Sequence, residues 1–143
     1  MHMQGTPRTM QADPHYEDVV REVRDFLLSR AAAAEGAGVP RARICIDPGI
    51  GFGKTLEHNL QLLAHLDLLA ETGYPVLVGT SRKSFLGRIL DEPDPQERDV
   101  ATAATVAVAA VRGAAVVRVH NVAMTRQAVL VADAVVRSGA GRP

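Results

Sequence analysis

The chain has 143 residues, 47% of them hydrophobic, and its 16 basic side chains balance 16 acidic ones. That length and apolar content suit one domain with its own core, and a net charge near zero argues against a general nucleic-acid binder. A single cysteine, Cys45, excludes a disulfide framework or a Cys-rich zinc site and fits a reducing cytosol.

Met1-His2-Met3-Gln4-Gly5-Thr6-Pro7 reads as the end of a strand running into a loop, without the basic segment and apolar run of a signal peptide. Asp13-Pro14 reads as a helix cap followed by proline at the first helical position. Tyr16, Val19, Val20, Val23, Phe26 and Leu27 then recur at helical spacing, and Gly36 and Gly38 end that helix.

Residues 43–47 form an apolar run that predicts a buried strand, with Cys45 in the core. The run breaks into Asp47-Pro48-Gly49-Ile50-Gly51-Phe52-Gly53-Lys54-Thr55. Pro48 biases Asp47 towards extended backbone, which leaves a carboxylate at the strand tip. The glycines let backbone approach a flat or anionic ligand closely. Two carboxylate oxygens suit an amino group beside a ring N–H. A phosphate-binding P-loop would need glycine at Pro48, and a dinucleotide fingerprint would need it at Lys54. Taken alone, the stretch is either a tight βα turn with Asp47 as a cap or a ligand loop. Lys54 either closes that loop or reaches the ligand.

Leu60, Leu62, Leu63, Leu66 and Leu69 predict the apolar face of a second helix that stops at Gly73. Residues 75–79 predict a strand leading into a polar loop, 80–87. Lys54 and Lys83 are the only lysines beside 14 arginines, and both lie in loops after predicted strands. Asp94-Pro95 repeats the cap-and-proline pattern. The helix from there to Arg112 is apolar on nearly all sides, which predicts burial against both the sheet and a partner subunit. Its longest apolar stretch, 103–111, is broken by Thr105 and too short to span a bilayer. In the last predicted strand, 115–120, period two puts Arg118 and His120 on one side. Asn121 caps a final helix with Val129, Ala132, Val135 and Val136 on one face and Gly139 at its end. The expected organisation is one partial barrel domain over 1–138 and a disordered tail over 139–143, with Ser138 already fraying.

Alternating strands and helices imply a parallel sheet. Their spacing predicts about four βα units, the C-terminal half of a (β/α)8 barrel.

Met-His-Met-Gln-Gly at 1–5, Asp-Pro-Gly-Ile-Gly-Phe-Gly-Lys at 47–54, Ser-Arg-Lys-Ser at 81–84 and Arg-Val-His at 118–120 together resemble the dihydropteroate synthase family, in its order and spacing. The resemblance starts at the end of that family's fifth barrel strand and covers essentially the whole chain. It implies a cytoplasmic transferase of folate biosynthesis, which joins dihydropterin pyrophosphate to 4-aminobenzoate and releases pyrophosphate. Asp47 would accept from the pterin's amino group and ring N–H. Lys83 would bond its polar edge, and Met1, Gly51 and Phe52 would line its slot. Arg118 and His120 would hold the pyrophosphate, and Ser84 would meet the aminobenzoate carboxylate. Lys83, Arg118 and His120 would be the catalytic set. The family also implies Mg2+ held with the pyrophosphate, by a loop Asn outside this chain, and a homodimer through the C-terminal helices. No metal ligand is expected here, and neither nucleic acid nor membrane is an expected partner.

The chain departs from the family at Asn121, where Asp often follows the histidine, and in lacking the first four βα units with their ligands. Weak or no activity is therefore expected of the chain alone. Two other readings stay open: a pterin-binding methyltransferase domain, and a non-catalytic half-barrel that binds or dimerises. Arg82 reads equally as a solvated side chain or a phosphate-steering one, and His2 as a site residue or a packing one. His15, His58 and His65 read as surface or helix-flank residues.

Overall fold

The structure is a computed structural model that describes residues 1–139. Its helices are α1 (Val19–Gly36), α2 (Leu56–Ala64), α3 (Asp67–Ala70), α4 (Ser84–Leu90), α5 (Asp99–Val111) and α6 (Val122–Gly139). Its strands are β1 (Leu77–Val78) and β2 (Val116–Val117), and single 3-10 turns occupy Arg41–Arg43 and Pro95–Arg98.

β1 and β2 pair in parallel, with Leu77 opposite Val116. Ile46 bridges Val76, also in parallel. The His2 N–H donates to the Asp47 carbonyl at 3.0 Å, which sets the first extended segment beside the second. Four extended segments thus lie side by side, each followed by helix, as in half of a (β/α)8 barrel. Alternate residues face opposite ways. Ile46, Val76 and Val78 pack in one core with Val23 and Leu27 of α1, Leu62 of α2, Phe85 of α4 and Ala109 of α5. Truncating a side chain such as Leu62 there costs about 2–5 kcal/mol. Cys45, on the other face, is exposed rather than core, and its thiol donates to the Pro75 carbonyl at 3.1 Å.

Several predicted elements shift. Asp13-Pro14 does not start α1; Asp18 does, accepting from the Arg21 N–H at 3.0 Å. The earlier residues are tied into a loop by Gln4, whose amide bonds His15 at 2.7 and 3.1 Å. Of 43–47 only Ile46 joins the ladder, because Arg43 is still in a turn and bonds back to Pro40. The leucine helix is two helices broken at His65, and Leu60 is exposed, while Leu62, Leu63, Leu66 and Leu69 are buried. Within the predicted loop 80–87 lies the start of α4, nucleated by burial of Phe85 and Leu86. Asp94 does cap, accepting from Gln96 at 2.8 Å, but the turn it starts is 3-10 and α5 begins at Asp99.

Thr102, Val106 and Ala109 turn α5 inwards, while Val100, Val108 and Val111 are exposed. In α6 the inward residues are Thr125 and Ala132; Val135 shares the face of Ala132 but is exposed there, and Val136 is exposed too. Ala107, Val108 and Val111 face Ala128, Val131 and Val135 across an apolar trough of about 750 Å³. Ser138 and Gly139 are the last described helical residues, and 140–143, the rest of the predicted tail, lie outside the described residues.

Candidate functional site

The glycine loop after Ile46 is built by close approach. A Cβ on Gly49 would lie 1.8 Å from the His2 carbonyl oxygen, and one on Gly51 would lie 2.9 Å from the Lys83 side chain. At Gly53 it would meet the Gln4 carbonyl at 2.8 Å. The first extended segment and Lys83 therefore lie directly on this loop. Gln11 adds to the clamp, donating to the Gly51 carbonyl at 3.3 Å and accepting from the Lys54 N–H at 3.2 Å. The Tyr16 hydroxyl donates to the Gly53 carbonyl at 2.7 Å, and burial pushes its pKa up to about 12. Thr55 then starts α2 in a reciprocal cap with His58, which accounts for that histidine.

Lys54 lies inside the loop, 3% exposed. Its ammonium donates to the carbonyls of Gly49 at 3.0 Å and Phe52 at 2.9 Å, and meets His2 Nδ1 at 3.0 Å. Burial pulls the Lys54 pKa down to about 7, with the charge of Lys83 acting the same way and Asp47 opposing. Burial also takes His2 down to about 4, reinforced by Lys54. Of the two roles left open by sequence, Lys54 fills loop closure, and His2 packs against it and, edge-on, against Phe26 at 4.9 Å.

Asp47 accepts from the Gly49 N–H through Oδ1 at 2.7 Å, and Oδ2 has no partner among the described residues. Lys83 precedes α4 and points back over the loop. Its ammonium donates to the Ile50 carbonyl and lies 4.6 Å from the centre of the Phe52 ring. Burial lowers its pKa to about 8; Arg118 lowers it further, and Asp47 raises it. A small cavity of about 70 Å³ is lined by Gly79, Ser81, Lys83, Arg118, Val119 and His120. About 10–15 Å³ of such space holds one water, so this corner has room for a small anion. Ser81 Oγ stands 2.8 Å from His120 Nδ1 and accepts from the His120 N–H at 3.1 Å.

Lys83, Arg118 and His120 are thus brought together, with Asp47, Gly51 and Phe52 beside Lys83. Met1 is exposed next to Gly49. Ser84, exposed on the first turn of α4, is not among the residues lining the cavity. Arg82, which the sequence left open between solvation and phosphate steering, forms a forked pair with Asp99, Nε to Oδ1 at 2.8 Å and Nη2 to Oδ2 at 3.0 Å. That pairing, with a bond from Asn121, holds the Asp99 carboxyl down at about 2. Asn121 caps α6 as expected, accepting from Met124 at 3.2 Å. Sequence reasoning missed Ser81, Asp99, Gln11 and the buried Arg98. Ser81 alone carried a signal, its place in the same polar loop as Lys83.

A family model described as pterin binding enzyme matches residues 1–120. The dihydropteroate synthase of Neisseria meningitidis serogroup C is 50% identical over 129 residues, which are 90% of this chain and 46% of that protein. The Yersinia pestis dihydropteroate synthase, solved with a sulfonamide drug complex, superposes with a TM-score of 0.92 at 42% identity, over 96% of this chain and 50% of that one. The Xanthomonas albilineans enzyme in complex with 7,8-dihydropteroate gives 0.84 at 48% identity, over 91% and 48%. The chain spans about half the length of the relatives it matches.

Proposed function

Because this chain belongs to the pterin binding enzyme family, we propose that it supplies one side of a dihydropteroate synthase site. In that reaction the C–O bond between the pterin's methylene carbon and pyrophosphate breaks. A C–N bond to the amine of 4-aminobenzoate forms, and the amine loses a proton. The observation that carries the proposal is the convergence of Lys83, Arg118 and His120 on one corner next to Asp47.

The free Oδ2 of Asp47 is available to a pterin's amino group and ring N–H. Lys83, held by the Ile50 carbonyl, offers its remaining protons to the pterin's polar edge, with Gly51, Phe52 and Met1 around the ring. Arg118 offers a forked donor to the departing pyrophosphate. His120, fixed at Nδ1 by Ser81, has Nε2 left for the same anion. Ser84 stands on α4 for the aminobenzoate carboxylate. Catalysis of this kind is positioning and charge stabilisation without a protein nucleophile.

The donors at the corner are cationic or N–H groups, which suit an anion and not a divalent cation. Among the described residues no three His, Cys, Asp or Glu side chains converge as a metal site. The described residues therefore offer no set that would hold Mg2+ by themselves, and no step is assigned to it. No helix among the described residues is long and apolar enough to cross a membrane. We place the protein in the cytoplasm, acting on small molecules and not on nucleic acid, as a homodimer through the trough between α5 and α6. The described residues supply only one side of the mouth, so weak turnover is proposed for the chain alone. A methyltransfer reading leaves the cationic corner without a use.

Calorimetric titration with dihydropterin pyrophosphate tests the proposal, together with dihydropteroate formation when a complementary half from a relative is added. Binding that is lost in Lys83→Met supports it. No binding and no product, even with the added half, overturns it.

A further inference from the structure

The cationic corner is carried by two loops, 79–83 after β1 and 118–121 after β2, and these loops are joined in two places. One is Ser81 on His120. The other runs through Asp99 at the start of α5, which is not among the residues lining the corner. Its Oδ1 and Oδ2 take the fork of Arg82, and Oδ2 also accepts from Asn121 Nδ2 at 3.0 Å.

Arg82 is held on every side. Its φ is +59°, a left-handed conformation that side chains other than glycine seldom adopt. Its N–H donates to Thr102 Oγ1 at 3.1 Å, and its carbonyl accepts from the buried Arg98 at 3.1 Å. This turn sends the guanidinium back to α5 while Ser81 and Lys83, its neighbours, both line the corner. On the other loop, Asn121 directly follows His120. It uses Oδ1 to cap α6 and Nδ2 to reach Asp99.

We infer that Asp99 is a positioning residue: by bonding Arg82 and Asn121 at once, it sets the spacing between Lys83 on one loop and Arg118 and His120 on the other. The inference rests on the reading of the corner as a pyrophosphate site for its effect on binding, but not for its effect on His120. The Asp99 carboxylate is the one group among the described residues that contacts both loops from the helix side.

Two variants separate this role from plain stability. Asn121→Asp keeps an acceptor for the α6 cap and turns the bridging donor into a like charge against Asp99. Asp99→Asn keeps the volume and removes the charge opposite Arg82. Inorganic pyrophosphate is titrated calorimetrically into the full chain, and the His120 imidazole is followed by 1H–15N spectra. In both variants the helical content stays at the wild-type level, the His120 signals move, and pyrophosphate binding weakens about tenfold. Asp25→Asn, in an exposed pair with Arg24, changes neither reading.

Wild-type His120 signals and wild-type affinity in folded Asn121→Asp and Asp99→Asn overturn the inference. If Asp99→Asn does not fold, Asn121→Asp decides alone. If the wild-type chain binds no pyrophosphate, the reading of the corner fails, and the His120 signals decide the role of Asp99 by themselves.

Discussion

Lys54 Nζ and His2 Nδ1 stand 3.0 Å apart in the interior of the glycine loop, two basic groups that share one hydrogen bond. While Lys54 carries its charge, the carbonyls of Gly49 and Phe52 take two of its three ammonium protons, so His2 Nδ1 accepts the third and the ring proton lies on Nε2.

Both groups make stability depend on pH, and with the same sign. Lys54 falls from 10.5 to about 7 in the folded chain, so between those values the unfolded chain binds the extra proton. Its contribution is fully present above about 10.5 and is lost as pH falls through about 7. His2, lowered from 6.5 to about 4, contributes fully above 6.5 and loses that contribution as pH falls through 4. Urea unfolding from pH 6 to 10 is expected to show stability rising above pH 7 by up to about 1.4 kcal/mol per pH unit from Lys54, with Lys83 adding a rise of the same sign above about 8. Lys54→Met removes the rise between about 7 and 8 and lessens it above. An equal slope in wild type and variant would refute the assignment.

Gly49→Ala strikes the same loop from outside. The new Cβ falls 1.8 Å from the His2 carbonyl oxygen at a φ of +68°, so the first segment must move off. A loss of at least about 2 kcal/mol is expected from denaturant midpoints, with faster amide exchange at His2. Protection at His2 equal to wild type would contradict the contact.

Arg118→Ala separates binding from folding. Arg118 is exposed and its guanidinium makes no hydrogen bond among the described residues. The unfolding free energy should change by less than about 0.5 kcal/mol. Pyrophosphate affinity should drop by about 1.5–3 kcal/mol, the usual value of a hydrogen bond to a charged group. Retained affinity would remove Arg118 from the corner.

Val131→Arg tests the trough between α5 and α6. Val131 is 66% exposed, so an arginine there is tolerated by the monomer. Sedimentation should show a dimer for wild type and a monomer for the variant, with Tm unchanged when read at low concentration. A dimer that survives the substitution lies on another face.

Much of the fold was legible because strand and glycine signals are local. Asp47-Pro48 ended its strand as read, but the strand predicted over 115–120 is only Val116–Val117, and Arg118 and His120 reach the corner from the loop after it, with Val119 between them. Asn121 capped α6 because Asn followed by an apolar helix is a local pattern. The failures share a cause, which is that tertiary contacts outrank local preference. Asp13-Pro14 is a sound cap by sequence, yet the Gln4–His15 pair holds that segment as loop and passes the start to Asp18. Cys45 read as core because an apolar run cannot say which of its faces meets helices. Arg82 read equally as solvated or phosphate-steering because its partner, Asp99, lies 17 residues away and shares no motif with it.

Gly49, Gly51 and Gly53 each clear a different neighbour: the His2 carbonyl, the methylenes of Lys83 and the backbone of Gln4. Drift at any of the three is therefore vetoed by a separate part of the chain, and no single compensating change elsewhere frees them all. A mutant library meant to retune what this loop accepts would do best to leave the glycines alone and diversify Phe52, whose ring lies beside the Lys83 ammonium.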